Sequence, residues 1–91
     1  MTNIIHNPTT QRFEVHIDGH TAFLSYEVVD DDTLNYNHTI VPPELGGRGV
    51  GTALVKFALD HARDNGKAVV PNCSFVASYI QRRPEYQSLL A

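Results

Sequence analysis

From Arg12 to Asp18 the chain alternates strictly, with Phe13, Val15 and Ile17 on one side. That pattern predicts a half-buried antiparallel strand. Asp18-Gly19 is a hairpin signal. A second strand is expected from His20 to Val29, with Ala22, Leu24, Tyr26 and Val28 inward. Asp30-Asp31-Asp32 then turns the chain into a third strand, Thr33 to Val41, with Leu34, Tyr36, His38 and Ile40 sharing a face. Pro42 and Pro43 have no N–H to donate, so the ladder stops there. Helical spacing takes over from Val50 to Asp64, where Val50, Ala53, Leu54, Phe57, Ala58 and Ala62 form an i, i+3, i+4, i+7 stripe ended by Asn65-Gly66. Lys67 to Val70 reads as a short apolar strand closed by Pro71. Ser74 to Arg82 reads as a second helix burying Phe75, Val76, Tyr79 and Ile80, and Pro84 to Leu90 as one or two further helical turns.

These elements predict an α/β (α+β) fold: one domain over residues 1–91, an antiparallel meander followed by a β-α-β unit and a C-terminal helix. A strand–helix–strand crossover joins parallel strands, whose carboxyl ends open onto one sheet edge where α/β folds bind ligands. Here those ends carry a glycine-rich loop and Asn72-Cys73-Ser74.

The loop is the strongest chemical signal. Gly46, Gly47, Gly49 and Gly51 flank Arg48 and lead into a helix. Glycines let a backbone approach a ligand closely, and a helix N-terminus presents unpaired N–H groups to an anion. Known phosphate loops fail on spacing. Gly51 is followed by Thr52 rather than the Lys of a nucleotide-hydrolysing loop, and no G-x-G-x-x-G register closes. A turn needed only for tight strand-to-helix packing explains the glycines equally well.

Composition changes the picture little. Apolar residues at 42% and charged residues at 19% suit a soluble domain. No run approaches the ~20 apolar residues of a membrane span. The first residues lack a basic stretch followed by an apolar one, so no secretory leader is expected. The single cysteine allows no internal disulfide, and a cytoplasmic protein is expected. The net charge of −3 argues against nucleic acid as a partner. Its distribution matters more: residues 1–47 hold seven acids and one base, and residues 48–91 six bases and three acids. The basic half begins at the glycine loop, where it favours an anionic ligand.

Two segments resemble a known family. Pro42-Pro43-Glu44-Leu45-Gly46-Gly47-Arg48-Gly49-Val50-Gly51 is similar to the acetyl-CoA pyrophosphate loop of the GNAT-type N-acetyltransferases, [Q/R]-x-x-G-x-[G/A]. Gly49 and Gly51 stand at its small positions, and Gly46 where the family has Arg or Gln. The run from Val69-Val70-Pro71-Asn72-Cys73 through Phe75, Tyr79, Ile80, Arg83, Pro84, Glu85 and Tyr86 resembles the end of the minimal, single-domain members. Arg83 replaces their His.

The resemblance implies a GNAT-like mixed sheet and transfer of an acetyl group from acetyl-CoA to an amine, or, alternatively, a CoA-binding module with little catalysis. It assigns the pyrophosphate to Gly46, Gly47, Arg48, Gly49, Val50, Gly51 and Thr52, and the pantetheine arm to the strand edge at Ile40 and Val41. The adenosine 3′-phosphate falls to Arg82 and Arg83, for which a solvated helix face is the plain alternative. Cys73, at a helix start that favours thiolate, is a nucleophile, a lining of the thioester pocket or a small core residue. His38 is a base for the amine or a satisfied core histidine. Tyr79 protonates the departing thiolate or packs in the core. The Asp30–Asp32 turn attracts a cationic amine or is simply exposed. His6, His16, His20 and His61 read as surface residues, and no pair has metal-ligand spacing. A Cys73–His38 hydrolase lacks an orienting acid. The acceptor and the oligomeric state are not specified by the sequence.

Overall fold

The computed structural model describes residues 3–91. It has five strands in sequential order, β1 (Ile5–Asn7), β2 (Arg12–Ile17), β3 (His20–Asp30), β4 (Thr33–Ile40) and β5 (Ala68–Val70). The first four are antiparallel neighbours, and β4 and β5 are parallel. Helix α1 (Val50–Asp64) joins β4 to β5, and α2 (Ser74–Gln81) follows. Short 3-10 turns occupy Pro43–Leu45 and Pro84–Leu89. The expected meander, β-α-β unit and C-terminal helix are all present. β1 is an addition that three residues of irregular sequence did not signal.

One face of the sheet carries the core. Phe13, Val15, Ala22, Leu24, Leu34, Tyr36 and Val69 are buried there against Leu54, Val55, Ala58, Leu59 and Ala62 of α1 and Val76 and Ile80 of α2. Among the described residues no helix lies over the other face, where Arg12, His16, Phe23, Ser25 and Glu27 are half-exposed or exposed and Glu14 is buried. Apolar burial of this kind, at about 25 cal/mol per Å², is the main stabilising term. Within it, the Tyr36 hydroxyl donates to the Ala58 carbonyl at 2.6 Å, a buried tie between sheet and helix.

The inward alternation fails in two places. Ser25 pairs with His38 and Tyr26 with Tyr36, so Asn37 is an extra residue in β4. Such a bulge reverses which side chains face inward beyond it. Thr39, opposite the buried Leu24, therefore turns toward the helices, while His38 and Ile40, expected on the same face as Tyr36, turn out to solvent. A second irregularity lies between Val28 and Asp30, where β3 outruns its neighbours and leaves Val28 56% exposed. Phe57 and Phe75, expected inward, are 37% and 41% exposed. His6 and His61 are half-buried rather than on the surface.

Tyr36→Phe is expected to remove the sheet–helix hydrogen bond and little else, costing about 1 kcal/mol. Urea unfolding checks this: the midpoint should fall with an unchanged slope.

Candidate functional site

Pairing between β4 and β5 covers only Thr33–Asn35 with Ala68–Val70. Pro71 then has no N–H, and the chain turns away. The last link is the Cys73 amide donating to the Tyr36 carbonyl at 3.0 Å. Among the described residues, β4 therefore has no strand partner on this side from Asn37 to Ile40. A gap opens there, bounded by Pro71 on one strand and by Pro42 and Pro43 at the end of the other.

The glycine loop lies at the wide end of the gap. The Leu45 and Gly46 amides close the 3-10 turn onto Pro42 and Pro43. Gly47 and Gly49 then take left-handed conformations, with φ of +78° and +72°, which disfavour any side chain. Gly49 is the N-cap of α1 and contributes no side chain to it. The first helical bond is Ala53 N–H to the Gly49 carbonyl. Among the described residues, the amides of Gly47, Arg48, Gly49, Val50, Gly51 and Thr52 donate to no backbone carbonyl. Unpaired amides at a helix N-terminus are the kind of donors that suit an anion. Arg48, expected to add charge here, sends its guanidinium to Asp18 in the β2–β3 turn, 3.0 Å away.

Gly51 has an ordinary helical conformation, so its torsions do not demand glycine. A Cβ there would crowd the Phe75 ring at 3.3 Å, which would have to give by a few tenths of an ångström, and would make ordinary contact with Val41 Cγ2 at 3.5 Å. This contact brings the N-termini of α1 and α2 side by side. Thr39, Val41, Gly51 and Phe75 line a cavity of about 260 Å³ in the gap. Thr52, Tyr79, Arg82 and Arg83 line another of about 400 Å³ on the outer side of the same helix start. The Arg83 guanidinium lies 5.2 Å from the Tyr79 ring centre. Tyr79, buried, also packs 6.0 Å from Tyr86.

Cys73 is the N-cap of α2 and is half-buried. Its sulfur is 3.6 Å from the Thr39 hydroxyl. Burial pushes the thiol pKa up, but the Val76 and Phe75 amides and the Thr39 hydroxyl favour the thiolate, and the net result is below the ordinary value. Thr39 was not singled out in the sequence, because strict alternation put His38 in its place. His38 leaves from the opposite face of β4, beside Ser25, and is not brought to Cys73.

A family model described as GCN5-related N-acetyl-transferase matches residues 12–89. The chain belongs to this family. Among relatives, protein NATD1 of Xenopus tropicalis is 30% identical over 86 residues, covering 92% of this chain and 79% of its own length. Human NATD1 is also 30% identical over 86 residues, covering 92% of this chain and 76% of its own. The solution NMR structure of a GCN5-like protein from Staphylococcus aureus superposes with a TM-score of 0.76 at 32% identity, covering 98% of this chain and 87% of that one. As a GCN5-related protein the chain is an acyltransferase by class, and its mixed sheet with helices is the fold of that neighbour.

The thiolate-favouring contacts predict that alkylation of Cys73 by iodoacetamide follows a midpoint below the roughly 8.5 of a free thiol. Thr39→Val should raise that midpoint. A wild-type midpoint at or above the free-thiol value would contradict the assignment.

Proposed function

We propose that the chain is an acetyl-CoA-dependent N-acetyltransferase whose donor lies in the gap between β4 and β5. The observation that carries this reading is the continuity of three features around one helix start: a cradle of six undonated amides, a cavity leading inward to Thr39 and Cys73, and an outer cavity bearing two guanidiniums. These match the parts of coenzyme A in order. The Gly47–Thr52 amides hold the pyrophosphate. Arg82 and Arg83 take the 3′-phosphate. The free edge of β4 from Asn37 to Ile40, with Val41 and Phe75, takes the pantetheine arm, which reaches inward for roughly 16 Å if it follows five strand residues.

Bound there, acetyl-CoA supplies an acetyl thioester for attack by a neutral amine. The Asn37 bulge interrupts the ladder, and an amide released there would serve as a donor to the thioester oxygen. Cys73 lines the narrow end of the gap and is held toward thiolate by Thr39 and the start of α2. Tyr79 shapes the 3′-phosphate cavity beneath Arg83 in this arrangement. His38, on the open face, meets only an acceptor approaching from that side. The acceptor is an amine of unspecified identity. A CoA-binding module without catalysis is the second reading, favoured by how little of the chain remains to wall an acceptor site.

Thermal-shift titration tests the donor site. CoA and acetyl-CoA should raise the melting point and ATP and NAD should not, because a ligand that binds only the folded state stabilises it by mass action. Absence of any CoA shift would remove both readings. Release of thiol with amine panels then separates enzyme from module.

Gly51→Ala separates the site from the fold. Alanine at this helical position favours the helix by up to about 1 kcal/mol, yet its methyl intrudes between Phe75 and Val41. Denaturation should show unchanged or higher stability, while CoA affinity falls about tenfold. Parallel losses would count against the placement.

A further inference from the structure

At the end of α1 remote from the glycine loop, two imidazoles meet. His6 of β1 stacks on Phe13 of β2 with ring centres 4.7 Å apart and planes 21° apart. Its Nε2 is 2.7 Å from the Tyr26 hydroxyl of β3. The His61 ring of α1 stands edge-on to it at 4.5 Å and to Phe13 at 5.2 Å. β1 itself is attached to β2 by only three residue pairs, Ile5 with Glu14, His6 with Phe13 and Asn7 with Arg12. A strand so short opens locally at small cost unless its side chains anchor it. The His6 ring is its inward-facing anchor.

We propose that β1 is an acid-released strap: His6 and His61 hold it against α1 only while both rings are neutral, and protonating them detaches Ile5–Asn7 from β2.

The surroundings offer little to offset a charge. Phe13, from β2, is apolar, and Tyr26, from β3, presents a hydroxyl whose pKa burial pushes up. Around His61, Asp64 favours a proton and Lys67 opposes it, while the Asn65 amide nitrogen lies 3.5 Å from its Nδ1. Asp60 on α1 is already engaged by Lys56, Arg63 and Tyr86. Glu14 stands across from Ile5, not from His6, and takes the Thr10 hydroxyl. Burial lowers the pKa of both imidazoles, and His61 lowers that of His6 further. The docked strap thus prefers neutral rings. Its attachment is fully present above the ordinary histidine value of about 6.5 and weakens as the pH falls through that value toward the lowered ones. Detached, both rings gain water and separate.

The test is amide hydrogen exchange by NMR on the whole chain, from about pH 7.5 to about pH 5, corrected for intrinsic exchange, with histidine resonances followed in parallel. Protection at Ile5, His6, Asn7 and their β2 partners should drop about tenfold for each unit by which the histidine pKa is depressed, while β4 and α1 stay protected. His6→Phe keeps the stack on Phe13 without a titrating group and should stay docked at the acid end. His61→Gln, which leaves one titrating ring, should make the loss smaller at the acid end. The proposal is overturned by protection that does not change with pH in the wild type. It is overturned equally by loss shared by β4, or by His6→Phe following the wild-type profile.

Discussion

The candidate site depends on one missing hydrogen bond donor. After three residues of parallel pairing, β5 reaches Pro71, which cannot continue the ladder. The two strands must then part. Cys73 makes a last link to Tyr36, and beyond it the β4 edge is open. Every element of the site is arranged around that parting. Two helices begin along it, one after the glycine loop at the wide end and one after Cys73 at the narrow end, and the cavity between them exists because neither strand fills it. A full ladder here would give a closed β-α-β unit with nowhere for an extended ligand to lie.

Much of this was legible in the sequence because the decisive residues act locally. Proline removes a donor wherever it stands, and Gly47 and Gly49 are needed for their own torsions. The periodicities of β2, β3 and α1 likewise come from neighbours in the chain. The failures are non-local. Asn37 carries nothing that marks it as a bulge, yet it exchanges His38 for Thr39 on the helix side. Gly51 looks like part of a phosphate motif, but the space beside it is bounded by Phe75, a residue 24 positions later. Arg48 reads as a ligand for an anion and is drawn instead to Asp18, thirty residues earlier. The histidines near β1 look solvated because their partners, Phe13 and Tyr26, reach them only through sheet pairing and helix docking.

The asymmetric charge of the chain takes on spatial meaning in the same way. Arg82 and Arg83 stand beside the helix start that offers free amides, so basic side chains and main-chain dipoles act on one region. The acids of the first half belong largely to the sheet and its turns, Glu14 and Glu27 on the uncovered face and Asp30 to Asp32 at its end.

The closeness of the two helix starts has a further consequence. Phe75 packed on Gly51 holds two like electrical poles against each other, and the empty protein must sustain that repulsion. On the proposed reading, a polyanion seated between them would relieve it, and binding would protect the chain from unfolding and proteolysis.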